Sequence, residues 1–139
     1  MVSKLNFLWP TNLKSPSGRK FWEGLREGKF LAPRCKDCGE FFFPPRPYCP
    51  ICLSPNLKWE ELSGKGFLYS WTEIHFALPE FEPPFLLGLV ELAEGVGRVV
   101  AKISGVKADE LQIGMPLRIK IATPIENFAL YYVEPSYEE

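Results

Sequence analysis

Four cysteines are the residues of this chain best suited to chemistry: Cys35, Cys38, Cys49 and Cys52, with no others among the 139 residues. They form two C-x2-C pairs that a short stretch of chain separates. Two such pairs can present four thiolates to one metal ion, at about 2.3 Å in a tetrahedron. The spacing therefore predicts a structural Zn²⁺ site. Because the protein supplies all four ligands, we expect the metal to be a scaffold and not a catalyst.

Iron and disulfides are the alternatives for these cysteines. A rubredoxin-like iron site uses the same four sulfurs, so geometry alone does not select the metal. Gly39 follows the first pair but Leu53 follows the second, and this broken symmetry favours zinc over an electron carrier. Disulfides would suit an oxidising compartment, whereas residues 1–10 lack the apolar segment of a signal peptide. Since apolar runs also fall far short of the roughly 20 residues of a membrane span, we expect a cytoplasmic protein.

An amphipathic helix is expected ahead of the cysteines. Residues 15–18 read Ser-Pro-Ser-Gly, which is typical of a serine-capped helix start, and the spacing of Phe21, Trp22 and Leu25 predicts a helix over residues 19–28. Core packing is the favoured interpretation of this apolar face. The alternative is an interface, because a small metal ribbon has little core with which to cover it.

Between the cysteine pairs, residues 40–46 are predicted to form a strand and a turn of the ribbon. Phe41, Phe42 and Phe43 follow one another there, and successive side chains of a strand point to opposite faces. We therefore expect one face to pack on the metal-binding turns and the other on the neighbouring domain.

From Trp59 onward the pattern changes to longer strands separated by turn residues. Five strands are predicted, over residues 64–76, 84–92, 97–103, 116–121 and 128–133. Glycines at the start of the first strand predict a bulge there, and residues 104–115 leave room for one short helical turn. The fold class is therefore mainly β: an N-terminal helical segment, a zinc ribbon and a five-stranded OB-fold barrel. A five-stranded sandwich fragment is the competing architecture.

Charge is distributed unevenly along a chain whose net charge is −1. Residues 1–40 hold eight Lys/Arg and four Asp/Glu, whereas residues 41–139 hold eight and thirteen. The basic first part suits a phosphate or an acidic protein surface, although an ordinary solvated helix face explains it equally well. The acidic remainder opposes binding to a nucleic-acid backbone, which several Lys/Arg contacts must neutralise.

Several motifs together resemble one two-domain family, the domain of unknown function 35. They are Phe-Trp-Glu-Gly-Leu at 21–25, Phe-Pro-Pro-Arg at 43–46, Ser-Gly-Lys-Gly at 63–66, Leu-Val-Glu-Leu at 89–92 and Glu-Gly at 94–95. The resemblance implies a helical segment over residues 1–30, a rubredoxin-like zinc ribbon over 31–58 and an OB-fold domain over 59–139. It also implies a role beside a thiolase in acyl-CoA metabolism. Archaeal members resemble the subunit that bridges acetoacetyl-CoA thiolase and hydroxymethylglutaryl-CoA synthase in the mevalonate route.

Catalytic residues are not recognisable in this sequence. His75 is the only histidine, lies in a predicted strand and has no nucleophile in a recognisable arrangement, so a strand or core position is favoured for it. Asp37 and Asp109 are the only aspartates, and neither belongs to a carboxylate pair. No glycine-rich phosphate loop is present. We therefore expect a non-catalytic accessory protein.

An acyl-CoA site needs an apolar channel with cations at its mouth, and the N-terminal helix offers both. We predict contacts to acyl-CoA or to an enzyme partner from six residues: Arg19, Lys20, Phe21, Trp22, Leu25 and Arg26. The alternative function is a single-stranded nucleic-acid-binding module, in which aromatic side chains stack on bases. Its candidates are Phe67, Tyr69, Trp71 and Phe76.

Overall fold

A short helix opens the part of the chain that the computed structural model describes, which is residues 16–125 and 128–136. Helix α1 spans Pro16–Arg26, so it begins and ends slightly earlier than predicted. It ends because Gly28 takes a left-handed φ of 82° and the Lys29 N–H donates to the Gly24 carbonyl at 2.8 Å. The predicted serine cap at position 15 lies outside the described residues. Within those residues, no helix is long and apolar enough to cross a membrane.

Two antiparallel strands form the ribbon: β1 spans Leu31–Cys35 and β2 spans Leu57–Glu61. The predicted strand over residues 40–46 is wrong, because a single bridge between Arg34 and Phe41 is the strand pairing found there. Three prolines in and beside that segment explain the difference, since proline cannot donate a hydrogen bond to a ladder. The second ribbon strand instead follows the second cysteine pair and leads directly into the barrel.

Five strands close into a barrel. They are β3 (Lys65–Ile74), β4 (Phe85–Leu92), β5 (Arg98–Ile103), β6 (Pro116–Ile125) and β7 (Phe128–Pro135). Their order is β3-β4-β5-β7-β6, with β5 and β7 parallel and the other pairs antiparallel. The closed barrel confirms the predicted OB fold over the sandwich fragment. The predicted helical turn is present as a 3-10 turn at Ala108–Glu110.

The bend in β3 lies further along the strand than predicted. Pairing with β4 shifts between Leu68 and Ser70, so the bulge is at Tyr69 and not at the opening glycines. The glycines have a different role, because Gly66 is paired with β4 on one side and with β6 on the other. Barrel closure therefore brings three backbones together at this residue.

Gly66 is predicted to tolerate no larger side chain. A Cβ there would lie 2.7 Å from Val90 Cγ1 and 2.8 Å from the Glu91 carbonyl oxygen, which cannot rotate away. We expect Gly66→Ala to lower the free energy of unfolding by about 1–3 kcal/mol, the usual cost of overpacking. Urea titration measures this, with Ser70→Ala as the control because Ser70 is exposed on the same strand. Equal stabilities for the two variants would contradict the prediction.

Helix, ribbon and barrel share one core. The ring of Phe21 in α1 lies edge-on to Phe30 at 5.4 Å and to Phe43 at 5.3 Å, measured between ring centroids. Tyr131 of β7 lies 6.0 Å from the same ring, also edge-on, which is an arrangement that aromatic pairs prefer. Leu25 belongs to the same cluster and is fully buried. Core packing, the favoured interpretation of the helix face, is therefore confirmed for Phe21 and Leu25.

Candidate metal centre

The four cysteine sulfurs converge on one point. All Sγ atoms lie within 4.8 Å of one another, with 3.5 Å between Cys35 and Cys52 and 3.6 Å between Cys38 and Cys49. Four sulfurs at about 2.3 Å from one ion would be about 3.8 Å apart, so the set fits a tetrahedral metal. Disulfide sulfurs lie about 2.05 Å apart, and all four cysteines here are free. The disulfide alternative is therefore wrong.

Two closely similar turns present these sulfurs. A left-handed residue follows each cysteine pair, Gly39 with a φ of 80° and Leu53 with a φ of 63°. In both turns its N–H donates to the carbonyl of the first cysteine at 2.9 Å. Another N–H reaches the sulfur of the first cysteine at 3.4 Å, from Cys38 in one turn and from Ile51 in the other. The asymmetry seen in the sequence is thus confined to side chains, and it no longer argues for zinc over iron.

Leu53 holds a backbone conformation that glycine adopts without strain. A left-handed L-residue costs about 1–2 kcal/mol, and the Leu53 side chain, 68% exposed, recovers little of this by packing. We expect Leu53→Gly to raise the free energy of unfolding by about 0.5–1 kcal/mol, after allowing for the larger entropy of glycine in the unfolded chain. Thermal unfolding of the metal-loaded protein measures the change. Gly39→Ala is the mirror control, expected to destabilise; a loss of stability in Leu53→Gly would contradict the strain.

The ionisation of the thiols also favours binding of a cation where the four sulfurs converge. The Cys38 N–H is the main group that lowers the pKa of Cys35 to about 7. The pKa of Cys49 is also lowered, mainly by the Cys52 N–H. The Glu40 N–H acts in the same direction on Cys38, but burial and the neighbouring thiols raise the Cys38 pKa to about 12. One thiol of each pair therefore has a lowered pKa and the other a raised one, so ionisation of all four is favoured by a positive charge among them.

Asp37 ties the two turns to each other. Its carboxylate accepts hydrogen bonds from the Ser54 hydroxyl and, at 3.3 Å, from the Asn56 side-chain amide. These two bonds, the one from Ser54 foremost, hold the pKa of Asp37 below its usual range. The first turn is thereby fixed against the chain that leaves the second.

The three consecutive phenylalanines divide between two sides, as expected. Phe42 packs with Cys35 and Cys49 in a small cluster behind the sulfurs. Phe41 and Phe43 pack against the main core that the ribbon shares with the barrel. The metal site is therefore joined to the rest of the protein through this segment, although its ladder pairing is limited to one bridge.

The helix residues predicted to contact acyl-CoA or a partner do not share one environment. Phe21 and Leu25 are buried, at 4% and 0% exposure, and so do not form a wall on the surface of this chain. Trp22 is half-buried, with its ring 5.2 Å from that of Phe21. The three cations are exposed: Arg19, Lys20 and Arg26. Contacts made by these cations and by Trp22 stay a prediction.

Residues just beyond β3 differ from what the sequence indicated. His75 lies one residue past the strand and is exposed, not in a strand or the core, and its Nε2 lies 3.0 Å from Glu73 Oε1. Phe76, predicted to end the strand, is 97% exposed in the loop that follows. Sequence reasoning missed this exposed region. The composition of residues 66–97, which contain five Glu and no Lys or Arg, is the sequence feature from which an exposed region could have been inferred.

Two family models match the chain in succession. The model of the ChsH2 rubredoxin-like zinc ribbon domain matches residues 22–58, and that of the ChsH2 C-terminal OB-fold domain matches residues 59–122. Among solved structures, a chain of an Ltp2-ChsH2(DUF35) aldolase superposes with a TM-score of 0.80 at 30% identity. The match covers 87% of this chain and 95% of that one.

Curated relatives carry several names. A DUF35 domain-containing scaffold protein of Methanocaldococcus jannaschii is 37% identical over 99 residues, 68% of this chain and 69% of that protein. The probable enoyl-CoA hydratase alpha subunit of Thermomonospora curvata is also 37% identical over 99 residues, which are 70% of this chain but 31% of the relative. Benzoylsuccinyl-CoA thiolase subunit BbsA of Thauera aromatica is 32% identical over 72 residues, 52% of this chain and 49% of BbsA.

The chain thus spans about a third of the hydratase subunit and about half of BbsA. It covers more than two thirds of the scaffold protein, and the two family models follow the ribbon and the barrel in order. The chain belongs to the DUF35 family, whose members pair a rubredoxin-like zinc ribbon with an OB-fold domain.

Proposed function

We propose that the chain is a non-catalytic, cytoplasmic accessory subunit that binds a thiolase or a related acyl-CoA enzyme and helps to hold or pass acyl-CoA. One observation carries the proposal: relatives of the same fold are named as a scaffold protein and as subunits of enzymes that act on CoA thioesters. BbsA supports a thiolase as the partner. Hydroxymethylglutaryl-CoA synthase is proposed as a second partner on the family resemblance, which would place the chain in the mevalonate route.

The metal centre supports a scaffold role. Bound Zn²⁺ would be held by Cys35, Cys38, Cys49 and Cys52, and it would supply a cross-link between the two turns with no position open to substrate. The chain's single histidine supports the same conclusion, because it is exposed and paired with Glu73 and not with a nucleophile.

The exposed side of α1 supports contact with the anionic end of acyl-CoA. Lys20 and Arg26 are both exposed. Lys20 Nζ lies 5.7 Å from the centre of the Trp59 ring, and an Arg26 guanidinium nitrogen lies 4.0 Å from a Glu23 carboxylate oxygen. Phosphate oxygens form strong charge-assisted hydrogen bonds with such side chains. The half-buried Trp22 adds an apolar surface beside them.

Affinity capture tests the accessory role. The tagged protein is recovered from its native host after nuclease treatment, and its partners are identified by mass spectrometry. A thiolase, with or without hydroxymethylglutaryl-CoA synthase, is the expected result. Replication, transcription or RNA-processing proteins recovered without a thiolase would contradict the proposal.

Calorimetric titration with acetoacetyl-CoA tests the helix contacts, for the chain alone and with the captured thiolase. We expect binding in at least one of these arrangements, weakened about tenfold by Arg26→Ala, because each lost charge-assisted hydrogen bond is worth about 1.5–3 kcal/mol. Trp22→Ala should weaken it as well. Lys29→Ala is the control, since Lys29 is exposed but lies outside the predicted set. Equal affinities for all variants would remove α1 from the site.

Single-stranded nucleic-acid binding is the second candidate, because the predicted stacking residues are exposed. Phe67, Tyr69 and Trp71 are 49%, 45% and 36% exposed. The Arg98 guanidinium lies 3.7 Å from the centre of the Tyr69 ring, as a stacked cation would. Charge opposes this candidate, since residues 66–97 carry no Lys or Arg. Submicromolar binding to a labelled oligothymidine at physiological salt, measured by fluorescence anisotropy, would favour it over the accessory role.

A further inference from the structure

A hairpin at one end of the barrel is only partly supported by neighbouring strands. We call residues 69–85 the β3–β4 arm; it contains the end of β3, a connecting loop and the start of β4. Ser70 to Ile74 are paired with β4 along one edge. Pairing of β3 with β6 involves only Lys65 to Phe67, and Leu68 makes the last backbone contacts, to Gly114 and Met115. In the described parts of the chain, no strand lies along the other edge of Ser70 to Ile74.

The arm exposes large apolar side chains that the described part of the chain does not cover. Phe76 is 97% exposed and Leu78 is 56% exposed, both in the loop. Trp71, on the strand that leads to them, is 36% exposed. Several large apolar side chains exposed on one segment are typical of a surface that another molecule covers, because water solvates them poorly.

The charge of the arm has one sign. Its sequence includes glutamates at positions 73, 80 and 82 and no lysine or arginine. Glu82 is exposed, and Glu73 Oε1 lies 3.0 Å from Nε2 of the neighbouring His75. Lys102 and Lys107 lie at the base of the arm, where they line a cavity of about 390 Å³ together with Glu73 and Glu82. The loop itself, residues 75–84, holds two glutamates and no lysine or arginine, so it combines exposed apolar side chains with negative charge.

We propose that the β3–β4 arm is the element that docks on the enzyme partner, by inserting Phe76 into an apolar socket that lysines and arginines surround. Leu78 and Trp71 would pack at the edge of the socket, and Glu82 would face its cations. The identity of the partner as an acyl-CoA enzyme rests on the function proposed above. Charge complementarity selects a basic protein surface as the occupant, since nucleic acids and anionic membranes would be repelled by the glutamates.

Binding of variants to the captured thiolase, produced separately, tests the proposal by biolayer interferometry. Phe76→Ser is expected to raise the Kd at least tenfold. Glu82→Lys should raise the Kd mainly through a slower association rate, and the salt dependence of association should become weaker. Ile113→Ser is the matched control, because Ile113 is an apolar side chain with 65% exposure outside the arm; its Kd should stay within twofold of wild type. All variants should keep the wild-type unfolding temperature.

Each other outcome overturns a defined part of the proposal. Wild-type binding that Phe76→Ser leaves unchanged would overturn the arm while the accessory role stands. Failure of the wild type itself to bind any acyl-CoA enzyme would overturn the accessory role and the partner class of the arm with it. Equal losses in Phe76→Ser and Ile113→Ser would show non-specific adhesion. A wild-type dimer that Phe76→Ser converts to a monomer in analytical ultracentrifugation, or oligothymidine binding lost in that variant, would replace the proposed occupant by a second copy or by nucleic acid.

Discussion

Cys49→Ser is expected to release the metal and to disorder the ribbon. Cys49 is fully buried, and its sulfur lies 3.6 Å from that of Cys38, so a serine would leave three sulfurs around a vacant fourth position. Zinc contributes about 10–16 kcal/mol to the folding of small zinc peptides, and losing a structural metal is among the most destabilising changes known. We therefore expect a loss of about 4 kcal/mol or more in the free energy of unfolding.

Plasma mass spectrometry and urea titration measure this prediction. The matched control is Ile51→Ser in the same turn, because the Ile51 side chain is 66% exposed and only its backbone N–H contacts the Cys49 sulfur. Ile51→Ser should retain one metal ion per chain, and excess chelator should make the wild type behave like Cys49→Ser. Zinc and iron are told apart in the same sample by metal content and by the colour of an iron–sulfur site. A Cys49→Ser protein with full metal content and wild-type stability would contradict the structural role.

Phe21→Ala is expected to separate the helix from the rest of the protein. The Phe21 ring contacts both Phe43 of the ribbon, at 5.3 Å, and Tyr131 of β7, at 6.0 Å between ring centroids. Truncating a buried phenylalanine costs about 3–5 kcal/mol, which combines the lost burial with the cavity left behind. We expect a loss of this size in urea titration, with a reduced near-ultraviolet circular dichroism signal from the remaining aromatic side chains.

Phe76→Ala is the matched control, because it makes the same chemical change at a side chain that is 97% exposed. Its stability should lie within about 0.5 kcal/mol of wild type, as for most surface substitutions. If Phe21→Ala and Phe76→Ala lost the same amount, α1 would contribute nothing to the core. The comparison also keeps stability apart from docking, for which Phe76 is proposed to matter and Phe21 is not.

The convergence of the four cysteines and the barrel strands could be predicted because their signals are local. The spacing of the cysteines within each pair restricts where their sulfurs can point, and the barrel strands follow one another in order along the chain, separated by turn residues. The ribbon strand at Leu57–Glu61 was missed because its partner, β1, lies on the far side of both cysteine pairs. Pairing at that distance leaves no periodic signal within either segment.

Other features depend on tertiary contacts or on the backbone, and sequence patterns carry little information about them. The sequence favours burial of Phe21 and Leu25 but does not identify what covers them, because Tyr131, which contacts Phe21, lies on the last strand described. The left-handed backbone of Leu53 has no side-chain signature, since leucine is an unusual choice there. The exposure of Phe76 is not predicted by the sequence, because an aromatic residue at a strand end is ordinarily assigned to the strand.

Contact between α1 and β7 joins the first and last described elements, although about a hundred residues separate them along the chain. A ribosome releases the N-terminal end first, and contacts over such separations form slowly. During synthesis, Phe30 and Phe43 can pack on Phe21 early, but the part of Phe21 that Tyr131 contacts must remain in contact with water until β7 emerges. The ribbon can mature as soon as β2 has left the ribosome and metal is available, whereas the helix completes its packing only after β7 has followed. Its apolar face is the portion of the nascent chain most in need of protection from aggregation.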